Sequence, residues 1–385
     1  MALDTLLQVD WDFKTVKTTY LTHGLHPYPA KYIPQIPHSL ISELSKYGDT
    51  VADIFCGSGT TLVEANLLGR NGIGIDANPL ACLISEAKTT RFEPNDESAL
   101  GKLVERAQGL SSELLLREML SEKKPYKSSA YRPDNDALLF WFEPFVIEEL
   151  AEILSWCRDL STKTSQQIAL TALSSIIVTV SKQDSDTRYV RREKGIRPGY
   201  TFLKFANALS KSISAVSEFT KQVDNRTFCK VYHSDILATP DVGSFDLMVC
   251  SPPYPNAYSY HLYHKTRMIW LGMDYKEFKQ QEIGSHRKYS KVGASIETFK
   301  QEMQAIFDWL YQHLKNKRYA CFIIGDSTIK GEKIDNAELL SSIAIKSGFI
   351  EHARLSRELQ ATKKAFNPAI GKIRDERILI LQKRG

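Results

Sequence analysis

The chain has 385 residues, 43% hydrophobic and 25% charged, with a net charge of +5. That length predicts two or three domains, or one large domain carrying an insertion, and the composition is that of a soluble globular protein. The six cysteines (56, 82, 157, 229, 250 and 321) form no close pair, which argues against a zinc site or a disulfide framework and fits a reducing cytosol. The N-terminus lacks a basic-then-apolar signal pattern, and the most apolar run, 168–180, is too short to cross a bilayer. A cytoplasmic protein with no membrane partner is expected.

In chain order, the first stretch with structure is 20–45. His26-Pro27-Tyr28-Pro29-Ala30-Lys31-Tyr32 reads as an ordered, proline-punctuated loop, either a packing arm or a ligand contact, before a helix over 37–44. A strand, Val51-Ala52-Asp53-Ile54-Phe55, then runs into Cys56-Gly57-Ser58-Gly59-Thr60-Thr61 and an amphipathic helix over 62–68. Glycines let the backbone pass close to a ligand, and a helix N-terminus offers unpaired N–H groups to an anion. The third glycine of the dinucleotide fingerprint is missing. A second strand ends in Asp76-Ala77, and Asn78-Pro79 caps a helix reaching Lys88. An acid some twenty residues past a glycine turn suits a pair of ribose hydroxyls.

The α/β alternation stops at about 92. Apolar spacing to 223 is helical, clearest over 138–160 and 166–180, with no strong strand signal, so a mostly helical insertion is expected. Within it, 182–200 reads as a flexible loop carrying Arg188, Arg191, Arg192, Lys194 and Arg197, with Tyr189 and Tyr200 interleaved. Such a loop suits a nucleic-acid backbone, although Asp184, Asp186 and Glu193 partly balance its charge. Alternation resumes with a strand over 229–235 ending in Asp235. Helices are expected over 258–271, 296–314 and 336–347, strands over 319–325, 349–355 and 377–381, and basic or polar loops over 275–294 and 363–374.

The strand Phe245-Asp246-Leu247-Met248-Val249-Cys250 stops abruptly at Ser251-Pro252-Pro253-Tyr254, because two prolines can continue neither a ladder nor a helix interior. A hydroxyl, rigid carbonyls and an aromatic face at a strand's carboxyl end suit chemistry on a flat amine-bearing ring. His261 and His264 lie one helical turn apart, but no third ligand is evident and no metal is expected.

Asp53-Ile54-Phe55-Cys56-Gly57-Ser58-Gly59-Thr60-Thr61 together with Ser251-Pro252-Pro253-Tyr254 resembles the amino-methylating DNA methyltransferases, the serine form resembling their N4-cytosine branch. The resemblance covers roughly 20–90 and 228–383 and includes His26 to Tyr32. It implies a class I methyltransferase fold, an α/β Rossmann-like, mostly parallel seven-stranded sheet with a helical insertion, using S-adenosylmethionine. Residues 1–91 and 226–385 would be its two halves, and 92–225 a target-recognition insertion. The cofactor set implied is Tyr28, Lys31, Asp53, Phe55, Cys56, Gly57, Ser58, Gly59, Thr60, Thr61, Asp76, Ala77, Asp235 and Ser251. Phe55, Gly57, Gly59 and Thr60 would line the methionine end, Asp76 the ribose and Asp235 the adenine. Ser251, Pro252, Pro253 and Tyr254 would hold a flipped cytosine. Arg188, Tyr189, Arg191, Arg192, Lys194 and Arg197 would contact duplex DNA. The resemblance also implies a prokaryotic, nucleoid-associated location and a cognate restriction endonuclease. Adenine-N6 methylation is the near rival, RNA or protein methylation lies further off, and an idle DNA-binding module is the reading from a different class.

Overall fold

The computed structural model describes residues 2–121, 125–255, 259–285, 296–329, 331–358 and 375–385. The strands of its large sheet, numbered in chain order, are β1 (Thr50–Asp53), β2 (Asn71–Asp76), β3 (Cys229–His233), β4 (Phe245–Cys250), β5 (Leu314–Gly325), β6 (Phe349–Glu358) and β7 (Asp375–Lys383). All six residues of β4 are buried, and five are apolar, as expected of a parallel strand covered on both faces; the sixth, Asp246, is paired with Lys315 and Arg318. The spatial order is β3-β2-β1-β4-β5-β7-β6. Pairing is parallel from β3 through β5, while β7 runs antiparallel to both neighbours. This is the class I methyltransferase arrangement that the resemblance implied.

Strand order reverses between β1 and β4, which pair directly through Val51–Leu247 and Ala52–Met248. Neighbouring strands lie about 4.8 Å apart, so the turns leaving their carboxyl ends share one crevice, the usual ligand position in an open α/β sheet. The glycine turn leaves β1 and Ser251-Pro252-Pro253-Tyr254 leaves β4.

Residues 96–222 contribute five helices among those described: Asp96–Met119, Ala137–Trp141, Pro144–Arg158, Lys163–Ile177 and Tyr200–Gln222. Leu150, Leu173, Phe202 and Phe205 are fully buried in their common core. Leu25, Ile269 and Trp270, from outside this stretch, are buried in the same core and dock it onto the rest of the chain.

Several expectations need correction. The run 138–160 is broken: Glu143 is extended, as a residue before proline prefers, and Pro144 starts a new helix. The stretch 182–200 is no simple loop. Gln183–Ser185 and Arg188–Arg191 form an antiparallel hairpin, and Tyr200 already belongs to the following helix. The hairpin is polar, so no apolar alternation announced it. Over 258–271 there are two short helices, Tyr260–Tyr263 and Lys265–Leu271, interrupted at His264; Tyr258 lies outside the described residues. The expected loop 275–294 begins as a helix, Tyr275–Gln281, because the Asp274 carboxylate accepts from the Lys276 and Glu277 N–H groups. Residues 286–294 and the expected basic loop 363–374 also lie outside the described residues.

One buried network pins the N-terminal loop to the helix Thr60–Leu67. Glu64 is fully buried. It accepts from the Tyr20 hydroxyl at 2.6 Å and pairs with His23 Nε2 at 2.7 Å and His38 Nδ1 at 2.8 Å. Burial alone would raise the Glu64 carboxyl, but the two histidines and Tyr20 outweigh it and hold it below its usual value. Removing one member of such a set strands the others. Glu64→Ala should therefore lower unfolding free energy by about 3–5 kcal/mol in urea titration. A loss under about 1 kcal/mol would show that the network is not holding the loop.

Candidate active site

The glycine turn is built from backbone that side chains would obstruct. Gly59 has φ +77° and caps the helix Thr60–Leu67; a Cβ there would lie 2.9 Å from Ser85 Oγ. Gly57, at φ +48°, donates its N–H to Asp76 at 2.8 Å. The other Asp76 oxygen accepts from Asn78 N–H at 2.8 Å. Each carboxylate oxygen keeps a further acceptor position. Burial pushes the Asp76 carboxyl up to about 6, against the lowering effect of these two N–H donors. Asn78 also caps the helix Pro79–Thr89 through Leu80 N–H and donates to the Tyr28 hydroxyl at 3.2 Å. Beside Asp76 a cavity of about 170 Å³ is lined by Ala77, Pro79, His233, Met273, Asp274, Glu277, Phe278 and Gln281.

A hydrogen-bonded chain joins this turn to β4. Thr61 Oγ1 donates to the Val249 carbonyl at 3.0 Å, and Tyr32 Oη lies within hydrogen-bond reach of both Thr61 Oγ1 and, at 3.2 Å, Asp53, its single proton serving one of them at a time. Burial pushes the Asp53 carboxyl up to about 7. Ser251, Pro253 and Tyr254 are half-buried at the end of β4, and Pro252 is buried. Their backbone is braced by Gly284, whose φ is +70° and where a Cβ would lie 2.5 Å from the Tyr254 carbonyl oxygen. Glu282 completes the brace, accepting from Tyr260 N–H at 2.5 Å and pairing with His261 Nδ1 at 2.6 Å.

Tyr28 stands over the turn, its ring 3.5 Å from where a Gly57 Cβ would be, and stacks on His264 and Tyr260 with centroids 4.9 and 5.9 Å apart. Phe55 is half-buried, while Ser58, Thr60 and Cys56 are buried; burial pushes the Cys56 thiol up. Lys31 spends its ammonium on the His23 carbonyl at 2.8 Å. Asp235 follows β3, next to β2, and accepts from Leu237 N–H at 2.9 Å, capping a short 3-10 turn; it is absent from the lining of the cavity beside Asp76, which His233 supplies instead.

The hairpin is fastened to the helix Lys265–Leu271, which follows Ser251-Pro252-Pro253-Tyr254 in the chain. Arg267, fully buried, donates to the Ser174 carbonyl at 2.9 Å and pairs with Asp186. Thr266 donates to Gln183 at 2.9 Å. The expected DNA-contacting residues divide. Arg188 and Arg192 both approach Asp184, at 3.5 and 3.4 Å, and Arg191 pairs with Glu193 at 2.7 Å. Lys194 donates to the Val178 carbonyl, Tyr189 packs on Trp141, and Arg197 is exposed. Sequence reasoning missed Glu64, Arg267, Glu282, Gly284, His233 and Phe278. Each acts through a partner distant in the chain, so no local spacing marks them.

A family model described as DNA methylase matches residues 4–87. The chain is 26% identical to the type II methyltransferase M.MjaII of Methanocaldococcus jannaschii, over 94% of its own length and 82% of that protein. It is 27% identical to M.MvaI of Kocuria varians, over 68% of this chain, and 24% identical to M.BsoBI of Geobacillus stearothermophilus, over 77%; it spans 60% of each of these two relatives. These matches support an amino-methylating DNA methyltransferase family for the chain. Its cofactor is S-adenosylmethionine, which supplies a methyl group already activated on sulfur. The site fits that group. The Asp76 carboxylate has acceptor positions for ribose hydroxyls, the adjoining cavity is walled by Ala77, Pro79 and Phe278, and the glycine turn leaves room for close approach.

Asp76→Ala should weaken cofactor binding by about 1–3 kcal/mol in calorimetry. Ribose hydroxyls donate to the ionised carboxylate, so affinity of the parent should rise as pH climbs through about 6, and the variant should lack that step. Equal affinity of the two proteins at neutral pH would remove Asp76 from the site.

Proposed function

We propose that this methyltransferase acts on the exocyclic N4 amine of a cytosine flipped out of duplex DNA. The observation that carries the reading is Ser251-Pro252-Pro253-Tyr254 at the carboxyl end of β4, directly beside the glycine turn that leaves β1. An exocyclic amine is a poor nucleophile because its lone pair is delocalised into the ring. Ser251 Oγ and the Pro252 carbonyl would accept its hydrogens and favour a pyramidal nitrogen, while Tyr254 would stack on the base. Ser251 could also donate to the ring nitrogen beside the amine, which an ionised aspartate cannot do. A base inside a duplex cannot reach a crevice at a strand edge, so the target must leave the stack, at a cost of a few kcal/mol.

The residues at 92–225 would supply target recognition. Support comes from the bond between the basic hairpin and the catalytic side, through Arg267–Asp186 and Thr266–Gln183. A cognate restriction endonuclease and a cytoplasmic, nucleoid-associated location belong to the same proposal. No helix among the described residues is long and apolar enough to cross a membrane.

Adenine-N6 is the second reading, because that ring presents the same amine and acceptor pair. Incubation with DNA and labelled cofactor, digestion to nucleosides and mass analysis should give N4-methylcytosine. N6-methyladenine alone would overturn the cytosine assignment. Ser251→Ala should slow transfer strongly at nearly unchanged cofactor affinity, since it acts on the orientation of the nucleophile; loss of cofactor binding in that variant would contradict the role given to Ser251.

For DNA, replacing Arg188, Arg191, Arg192 and Arg197 together by alanine should weaken binding and lower the salt slope by about one unit for each phosphate no longer engaged. Arg188, Arg191 and Arg192 already face carboxylates, so their engagement with DNA requires exchange of Asp184 and Glu193 for phosphate. An unchanged slope would move the footprint elsewhere.

A further inference from the structure

Lys88 lies in the last turn of the helix Pro79–Thr89 and is fully buried. Its ammonium nitrogen has no hydrogen-bond partner among the described residues. An unpaired buried lysine is costly, and a purely structural position would be served better by an apolar side chain. The charges that reach it are of its own sign. Lys31 bears on Lys88, and Lys88 bears in turn on His23 and His26 of the same N-terminal loop. Burial first, and Lys31 second, hold the amine well below the usual lysine range. The buried carboxylate of that loop's network, Glu64, is already engaged by Tyr20, His23 and His38.

Lys88 is not alone. His26 Nδ1, Thr22 Oγ1 and Ser58 Oγ are buried and also lack partners among the described residues. Ser85, one turn before Lys88 on the same face of the helix, donates to the Gly57 carbonyl at 2.8 Å and packs against Gly59. The lysine therefore lies on the helix face that backs the glycine turn, beneath the loop whose Tyr28 covers that turn. Lys88, His26, Thr22 and Ser58 can all donate there, and no carboxylate among the described residues bears on the lysine, a setting that suits an anion.

We propose that Lys88 receives the carboxylate at the methionine end of the cofactor, with Ser58 and His26 as neighbouring donors. The carboxylate supplies the charge and the acceptor atoms that the cofactor-free protein lacks there. The inference rests on S-adenosylmethionine being the cofactor.

The test uses two ligands, S-adenosylmethionine and its decarboxylated analogue, which lacks only that carboxylate. Calorimetry on the parent protein should show the intact cofactor binding about 10- to 100-fold more tightly, the range for a hydrogen bond to a charged group. In Lys88→Met the preference should collapse to within about threefold, while the analogue's own affinity stays near that of the parent. Thermal unfolding without cofactor should show the variant at least as stable as the parent, because an uncompensated buried amine has been removed. A parent with no preference, or a variant that keeps it, overturns the inference whatever its stability. A parent that binds neither ligand overturns the cofactor assignment itself, a different failure from the loss of preference.

Discussion

The hydrogen-bonded chain from Asp53 through Tyr32 and Thr61 to the Val249 carbonyl is the constraint on which the rest of the site depends. It ties three pieces of sequence that reach the crevice separately: the N-terminal loop, the glycine turn after β1 and the strand β4. Parallel pairing alone places β1 beside β4 but leaves the turns at their ends free to move. Thr61, in the first turn of the helix Thr60–Leu67, fixes that helix against β4 one residue before the strand ends. A methyl donor and an amine can react only when held in line, so the spacing between these two turns is part of the chemistry.

The loop after β4 is held from its other side as well. Gly284 lets the backbone after the helix Tyr275–Gln281 pass against the Tyr254 carbonyl, and Glu282 gathers Tyr260 and His261. The helix Lys265–Leu271 then carries Arg267 into the helical insertion, where Asp186 of the basic hairpin meets it. Events at the hairpin thus have a short covalent and ionic route to the loop that would receive the base.

Much of the sheet was legible because parallel strands buried on both faces read as short apolar runs, and because prolines and glycines mark where β1 and β4 stop. The spacing of Asp76 from the glycine turn was legible, and folding joins the two through the Gly57 N–H. The hairpin Gln183–Ser185/Arg188–Arg191 was not, since its strands are mostly polar and it is fastened by Gln183, Thr266, Arg267 and one aromatic contact, Tyr189 on Trp141, rather than by an alternating apolar face. The Glu64 network was hidden for a related reason: its partners lie at 20, 23 and 38, and only folding brings them to one carboxylate. The resemblance implied that Asp235 faces the adenine; in the fold its carboxylate caps the turn beneath it, and His233 lines the cavity. An acid at a strand end serves a cap as readily as a ligand, and spacing alone does not separate the two.

The central claim is that cofactor and target amine meet between the ends of β1 and β4. A crystal structure with S-adenosylhomocysteine bound tests it most directly. The account predicts ribose hydroxyls on the Asp76 carboxylate and the cofactor sulfur directed toward Ser251 and Pro252. Density for the ligand away from this crevice, or with its sulfur turned from β4, would contradict it.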